Sequence, residues 1–246
     1  MALLLAMTRR LPAAIPTTRD GMWSKDRALT MEYLQSVRRI AGHTVGIIGF
    51  GDIGRAFAQR VRAFGPARLL AYDPYVAQHE ADNFGVEMVT LDDLAANADF
   101  VSIHCSATDE TRHLVDARVL GLMKPTALLV NTARGPIVDG AALADALEAG
   151  TVEAAALDVT EVEPIDPRDR LLQLSNCIVT PHLAGFSPEF LHECPIRQAE
   201  NVIRVLSGQA PHGLANPEVI KTIAVQRSTD AGRWQGVPDF STALRL

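Results

Sequence analysis

Three glycines in Gly49-Phe50-Gly51-Asp52-Ile53-Gly54 have the spacing that lets a chain turn sharply and lay bare backbone against a bulky anion. Gly49 would permit the turn, Gly51 would keep side chains away from a pyrophosphate, and Gly54 would let a helix pack closely on the preceding strand. Asp52 and Ile53 open that helix, whose unpaired amides and partial positive charge face the same point. Alone the motif is weak. Here it follows the apolar run 44–48, opens an amphipathic stretch, and precedes Asp73 at the end of the next apolar run. An acid at that point accepts hydrogen bonds from ribose hydroxyls and repels a 2′-phosphate, which favours NAD over NADP. The bland alternatives are a ligand-free glycine turn and, for Asp73 before Pro74, a simple strand-end cap.

Other chemistry-bearing residues also stand where apolar runs end. The runs 44–48, 68–72, 100–103, 127–130, 153–157 and 177–179 are continuous rather than alternating, as strands covered on both faces require. Gly49, Asp73, His104, Arg134, Asp158 and His182 follow them. Helical patterns lie between, at 53–64, 91–96, 117–123 and 141–149, the last closed by Gly150. In the first of these, Ile53, Phe57, Val61 and Phe64 make one apolar stripe, leaving Arg55, Gln59, Arg60 and Arg62 for solvent. Strand and helix in alternation predict an α/β fold, a doubly wound parallel sheet of Rossmann type. Ligands bind such sheets beyond the carboxyl ends of the strands, so the scattered polar residues are expected along one edge.

Three later segments carry a resemblance. Asn131-Thr132-Ala133-Arg134-Gly135-Pro136-Ile137-Val138-Asp139, Leu157-Asp158-Val159-Thr160-Glu161-Val162-Glu163-Pro164 and Thr180-Pro181-His182-Leu183-Ala184-Gly185 occur in that order. They resemble the arginine, Asp-Val-x-x-x-Glu-Pro and histidine segments of the D-isomer-specific 2-hydroxyacid dehydrogenases. The resemblance covers the chain to about residue 220. It implies an NAD-dependent oxidoreductase that interconverts a 2-keto acid and a D-2-hydroxy acid. It makes Arg134, Glu163 and His182 the catalytic set, and the side chains suit those roles. His182 can exchange the proton, Glu163 can fix its tautomer, and the Arg134 fork can pair with a substrate carboxylate. It also puts His104, Cys105, Thr132, Ala133, Arg134, Asp158 and His182 against the cofactor, Asp158 near the nicotinamide carboxamide. Singly, a histidine after proline reads as structural and a Glu-Pro pair as loop surface. Gly135 beside Arg134 reads as room for a ligand. Residues 71–75 and the His104-Cys105 pair are similar to the branch holding the C-terminal-binding-protein co-repressors and bacterial dehydrogenases, the bacterial type matching better.

The same resemblance implies an absence. Members typically begin with roughly 100 residues of a smaller flavodoxin-like substrate domain, and an N-terminally truncated chain with only remnants of it is expected here. Residues 1–25 are then the interdomain helix and linker, 26–185 the dinucleotide-binding domain, 186–220 the return helix with a kink at Pro195, and 221–246 a loosely held tail. Trp23, in a recurring Gly-x-Trp, is expected to be a packing anchor. Because closure of two domains excludes water and completes such a site, an NAD(H)-binding module or sensor without turnover is the alternative function. A homodimer through the cofactor domain is also implied.

Composition narrows the classes further. A net charge of −6 without a basic block argues against a nucleic-acid partner. Cys105, Cys177 and Cys194 have no paired spacing, so neither a disulfide framework nor a metal site is expected. The apolar opening carries Arg9 and Arg10 after its apolar run, unlike a secretory leader, and no stretch approaches the roughly 18 apolar residues of a membrane span. A cytoplasmic protein is expected. His43, His79, His113, His192 and His212 read as solvent-facing or locally hydrogen-bonded.

Overall fold

A computed structural model describes residues 1–214, 219–230, 232, 235 and 236. Its centre is a sheet of seven parallel strands: β1 Thr44–Ile48, β2 Arg68–Tyr72, β3 Glu87–Met88, β4 Phe100–Ile103, β5 Leu128–Asn131, β6 Ala154–Leu157 and β7 Cys177–Val179. They lie in the order β3-β2-β1-β4-β5-β6-β7, so successive connections diverge on either side of the β1/β4 boundary. Such a switch point opens a crevice at the carboxyl ends of the strands.

The continuous apolar runs are explained by two core layers, one on each face. Val45, Ile47, Phe100, Leu128 and Val130 pack with Phe57, Ala58 and Val61 of helix Asp52–Arg62, and with Leu4 and Met7 of helix Ala2–Thr8. Ile48, Leu70, Ile103, Leu129 and Leu157 pack with Leu94, Leu120, Leu143 and Leu147 of helices Leu91–Asn97, Ala117–Leu122 and Gly140–Glu148. Gly46 matters to the second layer, because a Cβ there would lie 2.6 Å from Leu94 Cδ2. Close approach of helix to strand needs the missing side chain.

Several sequence expectations shift. The strand expected at 127–130 runs Leu128–Asn131, and β3 had no counterpart, since two residues carry no period. Ile53 and Phe64 are not part of the buried stripe: they are 65% and 42% exposed, Phe64 lying beyond the helix end. Arg55 is not left to solvent either. Its Nε donates to Phe50 O (3.0 Å) and its Nη2 reaches Glu80 Oε1 (3.3 Å). Trp23 is 74% exposed rather than an anchor, because it sits on the single-turn helix Met22–Lys25, which has no buried residue.

The chain divides into two compact units, Met1–Ala184 and Gly185–Leu246. In the second, Ser187 Oγ caps helix Pro188–Leu206, which continues through Pro195. Residues Val219–Thr229 form a helix, most of it within the 221–246 stretch expected as a loosely held tail; much of the remaining tail lies outside the described residues. Among the described residues no helix is long and apolar enough to cross a membrane.

Candidate active site

The glycine turn sits at the β1 end of the crevice. Gly49 has φ +90° and its amide donates to Tyr72 O (2.8 Å). A Cβ on Gly49 would lie 2.3 Å from Cys105 N, and one on Gly54 would lie 2.2 Å from Gly49 O. Backbone fills both places. Gly51 is different: a Cβ there meets nothing within 4 Å, so this glycine faces open space. It is also the N-cap of helix Asp52–Arg62 and offers no side-chain cap to the first-turn amides. Beside the turn runs a cleft of about 620 Å³, lined by Gly49, Gly51, Asp73, Tyr75, His104 and Cys105 among others.

Asp73 holds its position through backbone donors. Oδ2 accepts from Phe50 N (2.9 Å) and Oδ1 from Tyr75 N (3.0 Å), which leaves acceptor capacity on both oxygens of an ionised carboxylate. His104 follows β4, its Nε2 within 2.9 Å of Ser102 Oγ and its ring 4.9 Å from that of Phe57. Burial pushes the His104 imidazole down to about 4, so it is neutral near pH 7. Burial pushes the Cys105 thiol up to about 11, so it stays protonated there and is a poor nucleophile.

The second cluster is built at the ends of β5, β6 and β7. Asn131, fully buried, shapes the turn that presents Thr132, Ala133 and Arg134: its Nδ2 donates to Arg134 O (2.9 Å) and its Oδ1 accepts from Ala133 N (3.0 Å). Arg134 is exposed, with Nη1 donating to Ala133 O (2.6 Å). The space at Gly135 is not for a ligand, as the sequence suggested. A Cβ there would lie 1.9 Å from Thr160 O, so the glycine admits the backbone that follows β6.

Glu163 and His182 meet directly. Glu163 Oε2 lies 2.8 Å from His182 Nδ1, and Glu163 Oε1 accepts from Thr160 N (3.1 Å). Desolvation pushes the Glu163 carboxyl up. The hydrogen bonds from His182 and the Thr160 amide, with the charges of His182 and Arg134, outweigh it and hold the group below the usual glutamate value. His182 adopts φ +54°, a left-handed conformation rare outside glycine, and its amide donates to Asp158 O (2.9 Å). Asp158 explains how that conformation is kept. Its buried carboxylate accepts from Thr180 Oγ1 (2.5 Å), Leu183 N (2.9 Å) and Ala184 N (2.7 Å), on both sides of His182. The sequence reading set Asp158 against the cofactor; its contacts in the structure are to the histidine loop. A pocket of about 490 Å³ adjoins the pair, lined by Asp158, Thr160, Glu163, Pro164, Thr180 and His182 among others.

The family profile described as "D-isomer specific 2-hydroxyacid dehydrogenase, NAD binding domain" matches residues 1–184. The chain belongs to this family. It is similar to the D-3-phosphoglycerate dehydrogenase of Mycobacterium tuberculosis, 43% identical over 209 residues that cover 85% of this chain and 38% of that one. It is likewise similar to the glyoxylate reductase of Korarchaeum cryptofilum, 41% identical over 220 residues, 89% of this chain and 65% of the relative. Among solved structures it resembles the D-lactate dehydrogenase of Lactobacillus jensenii with NAD+, at TM-score 0.74 and 27% identity, covering 87% of this chain and 66% of that one. The chain thus spans well under half of the mycobacterial relative and about two thirds of the other two.

NAD is the cofactor of this 2-hydroxyacid dehydrogenase domain. The residues present fit it: Gly51 leaves the approach to uncapped helix amides open, and Asp73 stands across the turn with acceptor capacity to spare. No local pattern marks Asn131 or Thr180 as organisers of the site, since both act through contacts that only the fold creates.

Proposed function

We propose that the protein interconverts a 2-keto acid and a D-2-hydroxy acid with NAD(H), the His182–Glu163 pair handling the proton. The observation that carries this reading is the 2.8 Å contact between His182 Nδ1 and Glu163 Oε2. A carboxylate on Nδ1 fixes the tautomer and the ring's orientation, so the exchanged proton is the one on Nε2. NADH, when bound, would supply a hydride to the carbonyl carbon and become NAD+. His182 would give its proton to the carbonyl oxygen as the π bond breaks, and be left neutral. Arg134 pairs with the substrate carboxylate and polarises the carbonyl. Gly49, Gly51, Asp52, Ile53 and Gly54 would hold the pyrophosphate and Asp73 the adenosine ribose; His104, Cys105, Thr132, Ala133 and Asp158 border the site. The test is NADH oxidation by the chain against a panel of 2-keto acids, beside an NADH titration. Binding without oxidation of NADH by any keto acid would favour the second reading, an NAD(H)-binding module.

A homodimer through the cofactor domain belongs to the same proposal. Helices Leu11–Arg19, Met22–Lys25 and Arg27–Ser36 contain no buried residue, and Leu11, Ile15, Trp23, Met31 and Leu34 are exposed. Apolar side chains gathered in this way mark an association surface. Sedimentation equilibrium is expected to give a dimer, and Trp23→Glu a shift toward monomer at the same concentration. A wild-type chain that is monomeric throughout the micromolar range would refute the pairing.

A further inference from the structure

Glu161 is two residues from Glu163, yet its carboxylate turns to a different partner set. Oε1 lies 2.6 Å from His113 Nε2, and Oε2 accepts from Gly140 N (3.1 Å), the first residue of helix Gly140–Glu148. His113 is equally well anchored. Its amide donates to Pro136 O (2.8 Å), its Nδ1 stands 3.7 Å from Asp139 Oδ2, and its backbone takes φ +50°. Asp139 in turn caps the helix, Oδ1 accepting from Ala142 N (3.0 Å). Two residues further on, Val115 forms a parallel bridge with Val138. Histidine, glutamate and helix start therefore form one rigid corner. Sequence reading set His113 among the solvent-facing or locally bonded histidines; its partner Glu161 is instead remote in the chain.

The corner joins two regions that the proposed reaction needs at once. Thr111 and Leu114, on either side of His113, line the cleft beside the glycine turn. Residues 160–163 carry Glu163, whose Oε1 depends on the Thr160 amide and whose Oε2 meets His182. Within the 160–163 turn Thr160 Oγ1 donates to Val162 O (2.8 Å), Val162 is 72% exposed, and the Thr160 backbone lies against Gly135.

We propose that Glu161 and His113 are positioning residues: by clamping the 160–163 turn to the start of helix Gly140–Glu148, they hold Glu163 where it reaches His182. Neither is a catalytic residue. The inference rests on the proposed reductase reading for its purpose, but its geometry can be tested without turnover.

The experiment is a carbon-13 NMR titration of the Glu163 carboxyl in the whole chain, for wild type, Glu161→Ala, Glu161→Gln and His113→Ala. If the clamp positions Glu163, Glu161→Ala lets the turn relax, and the depressed Glu163 titration rises toward the ordinary glutamate value. The sign is diagnostic. Removing a neighbouring negative charge without moving the turn would lower that titration, not raise it. Glu161→Gln keeps an acceptor for Gly140 N and a hydrogen bond to the imidazole while losing the neighbouring charge, so its Glu163 titration is expected not to rise and to fall slightly. The double variant His113→Ala/Glu161→Ala is expected to rise no further than Glu161→Ala, because the two residues act as one unit. In keto-acid reduction, Glu161→Ala is expected to lower kcat roughly ten- to a hundredfold with KM for NADH unchanged. A Glu163 titration that stays put or falls in Glu161→Ala overturns the proposal. Failure of wild type to reduce any keto acid would count against the reductase reading alone, and the carboxyl titration would still decide this one. If Glu161→Ala does not fold, Glu161→Gln combined with His113→Ala leaves one side of the clamp empty and reads the same rise.

Discussion

His182→Ala is expected to lower keto-acid reduction by roughly 10²–10⁴-fold while leaving NADH affinity within a few-fold of wild type. The imidazole has a carboxylate on Nδ1 and stands at the pocket that the Glu163 turn borders. Glu163→Gln tests the support separately. A neutral amide replaces the charge-assisted hydrogen bond to the ring with a weaker one, so the imidazole is less firmly held and reduction is expected to fall. The acid limb follows from the opposite partner. The Glu163 carboxyl is held below its ordinary value, so the pair survives acidification past the usual glutamate range, near pH ~4.3, and is lost below it. The sign agrees with stability linkage. A depressed folded-state carboxyl stabilises the turn above the unfolded value, and that contribution disappears as pH falls through the folded one. Glu163→Gln is therefore expected to lack the acid limb. A His182→Ala chain that reduces keto acids at the wild-type rate would sink the assignment.

What could be read from the residues and what could not divide along a physical line. Continuous apolar runs report strands covered on both faces, and β1, β2, β4 and β7 lie where those runs do. Glycine spacing reports backbone that must come close to something, and at Gly49 and Gly54 the closeness is real. The nature of the neighbour is not encoded locally. Gly135 looked like room for a ligand because it follows an arginine, but the atoms that approach it belong to Thr160, on the far side of β6. Asp158 is assigned to the cofactor by resemblance alone; what its type and place do not announce are the contacts of its oxygens with Thr180, Leu183 and Ala184. His113 has the same character: a histidine amid polar residues carries no mark of a partner 48 positions away. Side chains that do chemistry were legible from type and place. Those that aim them were not, because aiming depends on pairs that only tertiary contact brings together.

That distinction separates two glycine substitutions that look alike in the sequence. Gly135→Ala places a methyl group 1.9 Å from Thr160 O, 2.0 Å from its carbonyl carbon and 2.6 Å from Glu161 N. All three are backbone atoms, and the other side offers no retreat, since Gly135 opens a short turn whose Ile137 and Val138 are buried. The 160–163 segment must move, and Glu163 moves with it. Reduction is expected to fall by about 10²-fold or more, since a displacement near 1 Å suffices for that. Overpacking should cost about 1–3 kcal/mol in chemical denaturation. Gly51→Ala should do the reverse. Its methyl group meets no atom of the protein within 4 Å, so folding stability is expected to stay within about 0.5 kcal/mol of wild type. NADH affinity should drop, because the methyl occupies the open approach to the uncapped helix amides. Denaturation curves of both variants, reduction rates for Gly135→Ala and an NADH titration for Gly51→Ala give the pattern that is the test. A Gly51→Ala chain that binds NADH as wild type would mean the pyrophosphate lies elsewhere, and a stable, active Gly135→Ala chain would mean that the Thr160 backbone has room it does not have in this structure.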